Sequence, residues 1–255
     1  MIYIKSKEEI QKMREAGKIM KEVLKAMEEN IHAGMSTEDL DKVAEDVMAS
    51  YGAIPSFRGV PCMYKGGKKF KHATCISVNE EIIHGVPSKQ KILKNGDVVC
   101  VDVGVYKNGF HSDAGRTFIV GEGTALAKKL VKTAEAAFFA GIEQAVPGNR
   151  IGDISHAIQE TVEKAGFSLI REFEGHGVGR ELHEDPGVPN IGKAGRGERL
   201  QVGMTLAIEP MIVAGSPEIY VGENKWVVKT VDHSLTAYYE NTIAITEDGV
   251  EILSL

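Results

Sequence analysis

Two segments near the start of the chain carry apolar residues at helical spacing. Ser6 and Glu9 have the spacing of a capping box, and the apolar positions that follow form one stripe along a long first helix. Those positions are Ile10, Met13, Met20, Leu24 and Met27. A second helix is predicted from Ser36 to Gly52, because the apolar residues between them again share one helical face.

Short segments rich in β-branched residues follow these helices and predict strands. They cover residues 75–78, 98–105 and 110–120. The last two segments are joined by Lys107-Asn108-Gly109, a strong hairpin turn. The first half of the chain is therefore predicted to pair helices with an antiparallel sheet.

From Thr124 the pattern starts again, with an alanine-rich helix to about Val146 and a second helix from about Asp153 to Gly166. Five residues have identical counterparts 114 positions later, at corresponding points of the helix pairs. The pairs are Lys18 and Lys132, Glu29 and Glu143, Gly34 and Gly148, Asp39 and Asp153, and Gly52 and Gly166. Further strands are predicted near residues 168–172, 204–208, 226–230 and 238–245.

These elements predict an α+β fold in a single domain over residues 1–255, with two related halves at about 1–121 and 122–255. An antiparallel-rich sheet would be covered by helices. We expect the functional site where the two halves meet.

Composition narrows the class of protein. The 255 residues are 43% hydrophobic and 26% charged, which is typical of a globular chain. The net charge of −6 provides no overall basic field for DNA or an anionic membrane. The three cysteines, at 62, 75 and 100, have no C-x-x-C spacing, so a reducing cytoplasm is expected. No apolar run has the length of a membrane span.

The hairpin carries two aspartates in a strand pair predicted to be buried. Asp102 and Asp113 are equidistant from the turn, so we expect them almost opposite each other. Opposed like charges destabilise a sheet, and an unpaired buried charge is costly. A divalent cation would compensate both, because carboxylates are hard oxygen ligands. A proton shared between the two groups, or a salt bridge to Arg116, would also do so.

Two glutamates pose the same problem in the second half. Glu209 and Glu240 each interrupt an apolar strand segment, at 204–211 and 237–243. Each alone could be an edge-strand carboxylate that faces solvent. Four acids within apolar strands are more than ion pairs usually explain, so the joint pattern favours a metal centre.

Histidines next to glycines or strands add nitrogen donors. His176 lies in a Gly-His-Gly-Val-Gly segment, where the glycines permit close backbone approach and unusual dihedral angles, and is a candidate ligand. His84 and His183 lie in loops from which they could donate to a substrate. His111 shares a strand face with Asp113. For each histidine, a purely structural role is the alternative.

Five of these residues, in this order and spacing, resemble the metal ligands of the methionine aminopeptidases of family M24, which have the pita-bread fold. They are Asp102, Asp113, His176, Glu209 and Glu240. The resemblance covers nearly the whole chain, with segments 79–87, 108–113, 175–183 and 203–211. Only 26 residues separate His183 from Glu209, as in the short bacterial type I form, which lacks the insertion of type II enzymes.

The resemblance implies a hydrolase that removes N-terminal methionine from nascent proteins and peptides and prefers a small second residue. It implies two divalent metal ions (Co, Mn, Fe, Zn or Ni) that activate a bridging water as hydroxide. Asp102 would chelate one ion, and Asp113 and Glu240 would bridge both. His176 and Glu209 would complete the other, with Glu209 also acting as a proton shuttle.

The resemblance also assigns groups around the substrate. His84 and His183 would donate hydrogen bonds to the leaving amide and the developing oxyanion. Cys75, Phe70 and Trp226 would form walls of an apolar methionine pocket. We treat Cys75 as a wall because no pattern supplies it with a base.

One segment departs from the family pattern. Residues 59–72 are longer than the family's aromatic loop over the methionine pocket and carry four lysines between 65 and 71. Phe70 best matches a pocket aromatic, and Tyr64 is a weaker candidate. The lysines could meet ribosomal RNA or a nascent chain, or the segment could be a solvated loop. Leu182 stands where some members place an aromatic pocket residue.

Two other functions fit part of the pattern. An Xaa-Pro aminopeptidase or dipeptidase uses the same ligands but carries a preceding domain, which we expect to be missing here. A non-catalytic module that binds peptides or a ribosome would be expected to lose ligands, and all five are present. No interface pattern stands out, so a monomer is the default expectation.

Overall fold

Four helices and fifteen strands make up the fold of residues 1–255 in the computed structural model. The helices are α1 (Lys7–Asn30), α2 (Thr37–Ser50), α3 (Ala125–Ile142) and α4 (Ile151–Lys164). The strands of the first half are β1 (Ile54–Pro55), β2 (Thr74–Val78), β3 (Glu81–Ile83), β4 (Val98–Lys107) and β5 (Phe110–Ile119). Those of the second half are β6 (Ser168–Leu169), β7 (Glu174–Gly177), β8 (Glu184–Pro189), β9 (Thr205–Ile208), β10 (Met211–Val213), β11 (Ile219–Val221), β12 (Val228–Thr230), β13 (Thr236–Tyr238), β14 (Asn241–Thr246) and β15 (Gly249–Ile252).

The two N-terminal helices begin where the sequence predicts. The Ser6 hydroxyl accepts from the Glu9 N–H, and the Glu9 carboxylate accepts from the Ser6 N–H, which completes a capping box. Ser36 and Asp39 form the same arrangement before α2. Met20, Leu24 and Met27 of the α1 stripe are buried against the first-half sheet. Ile10 and Met13 pack in a separate cluster with Phe110 and with residues of the second half. None of the helices is long and apolar enough to cross a membrane.

The two helix pairs correspond along the chain. α2 and α4 each have 14 residues, and both ends of α4 lie 114 positions after those of α2. The glycines that precede and follow them are also alike. Gly34 and Gly148 have φ of 91° and 96°, and Gly52 and Gly166 have φ of 59° and 83°. Because glycine adopts this left-handed region without strain, the paired stops support the proposed division into two halves.

Four sheets carry the strands. In the first half, β4 pairs along its length with β5 and, at its other edge, with β2 and the short β1. The second half has a five-stranded sheet in the order β15-β14-β9-β7-β8. Two three-stranded sheets have the orders β13-β10-β6 and β11-β12-β3. α1 and α2 pack on β2, β4 and β5, and α3 and α4 cover the second half.

The register of the hairpin differs from the prediction. Its turn is the two-residue Asn108–Gly109, so Asp102 pairs with Gly115 and Asp113 pairs with Gly104. The two aspartates are therefore diagonal neighbours on one face of the sheet, not directly opposed. Diagonal neighbours remain close enough to interact, so the electrostatic problem persists.

Several predicted element ends were wrong. α3 stops at Ile142, because the next residues form turn hydrogen bonds to Gly141 and Ile142, and α4 starts at Ile151 rather than Asp153. The strand predicted at 168–172 ends at Leu169, and the one at 226–230 begins at Val228. The segment at 238–245 is broken between β13 and β14, because the chain passes there from one sheet to another.

Hydrogen bonds join the halves beside the break. The Thr242 hydroxyl accepts from the Asp113 N–H at 2.8 Å and donates to the Asp113 carbonyl at 2.9 Å. Glu240 and Gly115 exchange two backbone hydrogen bonds, at 3.0 and 3.2 Å. The Thr242 side chain therefore holds the backbone of Asp113 in place, and the backbone of Gly115 holds that of Glu240, so both acids are positioned where the halves meet.

Candidate metal centre

The five side chains that the motifs single out come from both halves. Asp102 lies on β4, Asp113 on β5 and His176 on β7, while Glu209 follows β9 and Glu240 follows β13. Ligand atoms of Asp113, His176 and Glu240 all lie within 4.8 Å of one another. The His176 Nε2 atom is 3.8 Å from an oxygen of Asp113 and 3.8 Å from an oxygen of Glu209. All five residues line one cavity.

The four carboxyl groups of this cluster are buried close together, where their ionised form is unfavourable. Burial raises the pKa of Asp102 to about 7. Burial also raises the pKa values of Asp113, Glu209 and Glu240 well above their usual range, with further increases from the neighbouring carboxylates. One oxygen each of Asp102 and Asp113 is buried without a hydrogen-bond partner. The cluster therefore holds protons at neutral pH or requires a cation.

Arg116 does not provide that cation. Its guanidinium donates to the carbonyl oxygens of Gly115 at 2.7 Å and Glu240 at 2.6 Å, and to the side-chain oxygen of Asn241 at 2.8 Å. It also stacks 4.1 Å from the ring centre of Tyr239. The alternative of a salt bridge between Arg116 and the hairpin aspartates is therefore wrong.

The neighbours of His176 orient its ring towards the acids. The Nδ1–H donates to the Gly177 carbonyl at 2.8 Å, which leaves the Nε2 lone pair facing the acids. Burial lowers the pKa of His176 to about 3, so the ring is neutral at pH 7. A Cβ atom at Gly175 or Gly177 would lie 2.5 or 2.3 Å from backbone oxygens. The predicted close approach is confirmed, and neither glycine has a positive φ.

Two further histidines line the cavity. The His183 ring centre is 4.4 Å from that of His176, and the His84 ring packs edge-on against Phe173 at 5.6 Å. Burial lowers the pKa of His84 to about 4 and also lowers the pKa of His183. Both rings are therefore neutral at pH 7 and carry an N–H donor each. His111 lies outside the cavity lining, with its Nδ1 2.9 Å from the Ser56 hydroxyl.

The cavity has a volume of about 370 Å³ and combines the acidic cluster with an apolar wall. Phe57, Phe70, Cys75 and Leu182 form that wall as one buried cluster, with Trp226 against it. The rings of Phe70 and Trp226 meet edge-on at 5.0 Å. Burial is the main cause that raises the pKa of the Cys75 thiol, and nearby carboxylates raise it further. The thiol therefore stays neutral. An uncharged thiol suits a wall and not a nucleophile.

Residues 59–72 form part of the cavity lining, and we call them the roof segment. Val60, Pro61, Met63 and Phe70 line the cavity, whereas Tyr64 does not and is 38% exposed. Hydrogen bonds tie the segment to the turn at 222–226. The Trp226 indole N–H donates to the Lys68 carbonyl at 2.9 Å, and the Lys225 ammonium donates to the Lys65 carbonyl at 2.6 Å.

Sequence reasoning missed part of the lining. Phe57, Met63, Ile83, Phe173 and Glu174 also face the cavity. Phe173 and Glu174 directly precede the Gly175-His176-Gly177 segment, so their position was a usable signal. Phe57, which precedes the roof segment, carried none. Met63 lies within the roof segment, and the path of that segment places it here.

The donor set fits a divalent metal. Carboxylate oxygens and one neutral imidazole are the ligands that Mn, Fe, Co and Zn ions share in proteins, and two of the oxygens have no other partner. A bound cation would replace the protons that the raised pKa values indicate. The predicted hard-ligand chemistry therefore agrees with the observed burial.

Comparison with known proteins gives a consistent result. The model of metallopeptidase family M24 matches residues 11–247. Methionine aminopeptidase of Clostridium acetobutylicum is 50% identical over 255 residues, which cover 100% of this chain and 99% of the relative. Methionine aminopeptidase 1 of Bacillus subtilis is 44% identical over 254 residues, with coverage of 100% and 99%.

Solved structures show the same likeness. The crystal structure of methionine aminopeptidase from Thermotoga maritima matches with a TM-score of 0.94 at 46% identity, covering 100% of this chain and 99% of that chain. Prolidase from Pyrococcus furiosus matches with a TM-score of 0.78 at 25% identity, covering 99% and 65%. The predicted pita-bread fold and the resemblance to bacterial methionine aminopeptidases are confirmed. The chain belongs to metallopeptidase family M24.

Proposed function

We propose that this protein is a metal-dependent aminopeptidase that removes the N-terminal methionine from peptides and nascent polypeptides with a small second residue. The main support for the proposal is that the acidic cluster and an apolar wall line the same cavity. It is also supported by two relatives that are named methionine aminopeptidase and match over nearly their full length.

Two divalent ions are the proposed cofactor. Asp102, Asp113, His176, Glu209 and Glu240 are the residues that would hold them. When bound, divalent metals lower the pKa of a coordinated water and polarise a carbonyl group. Mn, Fe, Co, Zn and Ni all accept such ligands, so the metal is to be identified by adding each to stripped protein.

His84 and His183 are the proposed donors to the peptide. Both rings are neutral at pH 7, and both line the cavity next to the acidic cluster. A neutral imidazole N–H can stabilise negative charge that develops on the scissile carbonyl oxygen, or can bind the leaving amide. Burial away from water strengthens such hydrogen bonds.

Glu209 is the proposed proton carrier. Its side chain is 15% exposed, against 4% for Asp113, so it is the more accessible of the two from the cavity. Burial raises its pKa, which favours holding a proton between its removal from water and its delivery to the leaving amine.

The apolar wall accounts for the choice of methionine. Phe57, Phe70, Cys75, Leu182 and Trp226 offer soft, polarisable surface without a charged group. An unbranched thioether side chain fits such a surface and contacts aromatic edges favourably. We therefore assign the wall to the methionine side chain.

Location and partners follow from the proposed substrate. Free N-terminal methionine arises as polypeptides are synthesised, so we place the protein in the cytoplasm. A monomer is the default for its oligomeric state, because no interface pattern stands out in the sequence. Ribosome association through the exposed lysines of the roof segment is part of the same proposal.

The replacement of His183 by alanine tests the donor role. We expect kcat for Met-Ala-Ser to fall about 100-fold, the scale for loss of one donor to a developing oxyanion. Metal affinity, measured by calorimetry, should be nearly unchanged. The matched control His156→Ala alters a half-exposed histidine on α4, outside the cavity lining, and should leave both values unchanged. An unaltered kcat in the His183 variant would refute the assignment.

Peptide selectivity tests the function itself. Metal-loaded protein should release methionine from Met-Ala-Ser, and should leave Pro-Ala-Ser and Ala-Pro-Ser intact. Cleavage of Ala-Pro-Ser with no methionine release would identify an Xaa-Pro peptidase instead. No cleavage of any peptide with any of the metals would support a binding module.

A further inference from the structure

The cavity that holds the proposed metal centre is acidic beyond the ligands themselves. Twenty-two residues line it, and none of them is a lysine or an arginine. Its acids are the four of the proposed metal centre together with Glu174, Glu184 and Asp185. The charge that a substrate meets in the cavity therefore depends on which of these seven carboxyl groups have a compensating partner.

Glu174 is the one acid of the lining that has no partner. The Lys5 ammonium pairs with Glu184, and both side chains are buried. The Met1 ammonium pairs with Asp185. Divalent ions would compensate the four acids of the metal centre. Glu174 is exposed to the cavity, and its carboxylate forms neither an ion pair within 4 Å nor a hydrogen bond.

The sheet aims the Glu174 side chain into this cavity. Glu174 and His176 are two residues apart on β7, so their side chains lie on the same face of the strand. The Glu174 carboxylate lies over Gly187 of β8, where a Cβ atom would be only 2.2 Å from Glu174 Oε1. Gly187 pairs directly with His176 across the two strands. The lack of a side chain at Gly187 therefore leaves room for the carboxylate beside the metal centre.

His84 relates Glu174 to the path of the substrate. The His84 ring meets two aromatic rings edge-on, that of Trp226 at 6.3 Å and that of Phe173 at 5.6 Å. Trp226 packs on the apolar wall that we assign to the methionine side chain, whereas Phe173 and Glu174 are not part of that wall. His84 is a proposed donor to the leaving amide. We therefore expect the chain beyond that amide to extend from His84 along Phe173 and Glu174.

We propose that Glu174 pairs with a lysine or arginine at the third residue of the substrate, so that the enzyme prefers chains with a basic residue there. The inference rests on the proposed aminopeptidase function, because the peptide has to lie in the cavity with its methionine against the apolar wall. The second residue is small in that proposal, so the third is the first that can bring a long cationic side chain past His84. An acidic third residue is disfavoured for the same reason.

Matched peptides test this selection. The probes are Met-Ala-Lys-Ser, Met-Ala-Gln-Ser and Met-Ala-Glu-Ser. We expect kcat/KM for the lysine peptide to exceed that for the glutamate peptide about ten-fold, with the glutamine peptide between them. The difference should lie mainly in KM and should shrink as salt is added, because exposed charge pairs are screened. A lysine moved to the sixth residue of a glycine-extended peptide should give no advantage.

Three variants locate the effect. In Glu174→Gln the three peptides should be cleaved with nearly equal kcat/KM, and in Glu174→Lys the order should reverse. Glu172→Gln makes the same chemical change at an exposed residue outside the cavity lining and should keep the preference. Calorimetry should find the same number of metal ions bound by Glu174→Gln as by the unaltered protein, because Glu174 is not one of the proposed ligands.

The failures are distinguishable. If no peptide is cleaved with any metal, the proposed function fails and the inference with it. If methionine is released from all three peptides with equal kcat/KM, only the inference is overturned. It is also overturned if Asp185→Asn removes the preference and Glu174→Gln does not. Loss of a metal ion in Glu174→Gln would likewise reject it, because the carboxylate would then be a metal ligand.

Discussion

Replacing Asp113 by asparagine is expected to abolish most methionine release and to stabilise the metal-free protein. Asp113 is buried and its pKa is raised by burial, then by Asp102 and Glu209. Loss of a group that only hydrogen-bonds a metal ligand lowers metal affinity or activity by about 10–100-fold. Loss of a ligand itself should lower both by more than that. Removing one buried acid from the cluster also relieves repulsion, so the metal-free protein should gain about 1–2 kcal/mol.

Activity, metal affinity and thermal unfolding of the stripped protein measure these effects. The control is Asp46→Asn, which makes the same chemical change at an exposed residue of α2 that pairs with Lys42. That variant should retain its activity and its metal-induced stabilisation. If Asp113→Asn destabilised the stripped protein and bound metal normally, the account of the cluster would be wrong.

The stability of the metal-free protein should fall as pH rises from about 6.5 to about 8. Folded Asp102 has a pKa raised to about 7 by burial, and Asp113, Glu209 and Glu240 are raised further, whereas unfolded carboxyl groups are ionised in this range. The folded state thus binds more protons than the unfolded state. Stability then falls by about 1.4 kcal/mol per pH unit for each carboxyl group that stays protonated.

The histidines define the lower limit of this window. Burial lowers the pKa of His84 to about 4 and that of His176 to about 3 in the folded state. Below the pKa of about 6.5 that histidine has in the unfolded chain, the unfolded state binds protons and the folded state does not, so stability is lost as the pH falls. Below that pH the carboxyl groups and the histidines change the stability in opposite directions. Above it the histidines no longer contribute, and the effect of the carboxyl groups remains.

Denaturant unfolding at several pH values, with and without metal, measures the effect. Added metal should displace the protons, so its stabilising effect should grow with pH. In Asp113→Asn the slope of stability against pH should be smaller. Stability of the stripped protein that rises with pH across this window would contradict protonated, uncompensated acids.

The sequence was most informative where local signals are strong. Ser6 and Ser36 marked helix starts, and the glycines at 34, 52, 148 and 166 marked the stops that reveal the repeat. Acids within apolar segments indicated a cation site, because a buried charge needs compensation whatever the details of the fold.

It was least informative where position depends on distant parts of the chain. One error was local: because the turn is Asn108–Gly109 alone, the partner of Asp102 is Gly115 and not residue 113. The break after Tyr238 exists because β13 and β14 belong to different sheets, whose partners are far away in sequence. Met63 enters the pocket only through the path of the roof segment.

Metal dependence of methionine release is the most direct test of the central claim. Chelator-stripped protein is titrated with Mn, Co, Fe, Zn or Ni, and free methionine from Met-Ala-Ser is measured at each addition. We predict no release without metal and release that rises until the site is filled with at least one of these ions. Release by the stripped protein at the rate of the loaded protein would contradict the account.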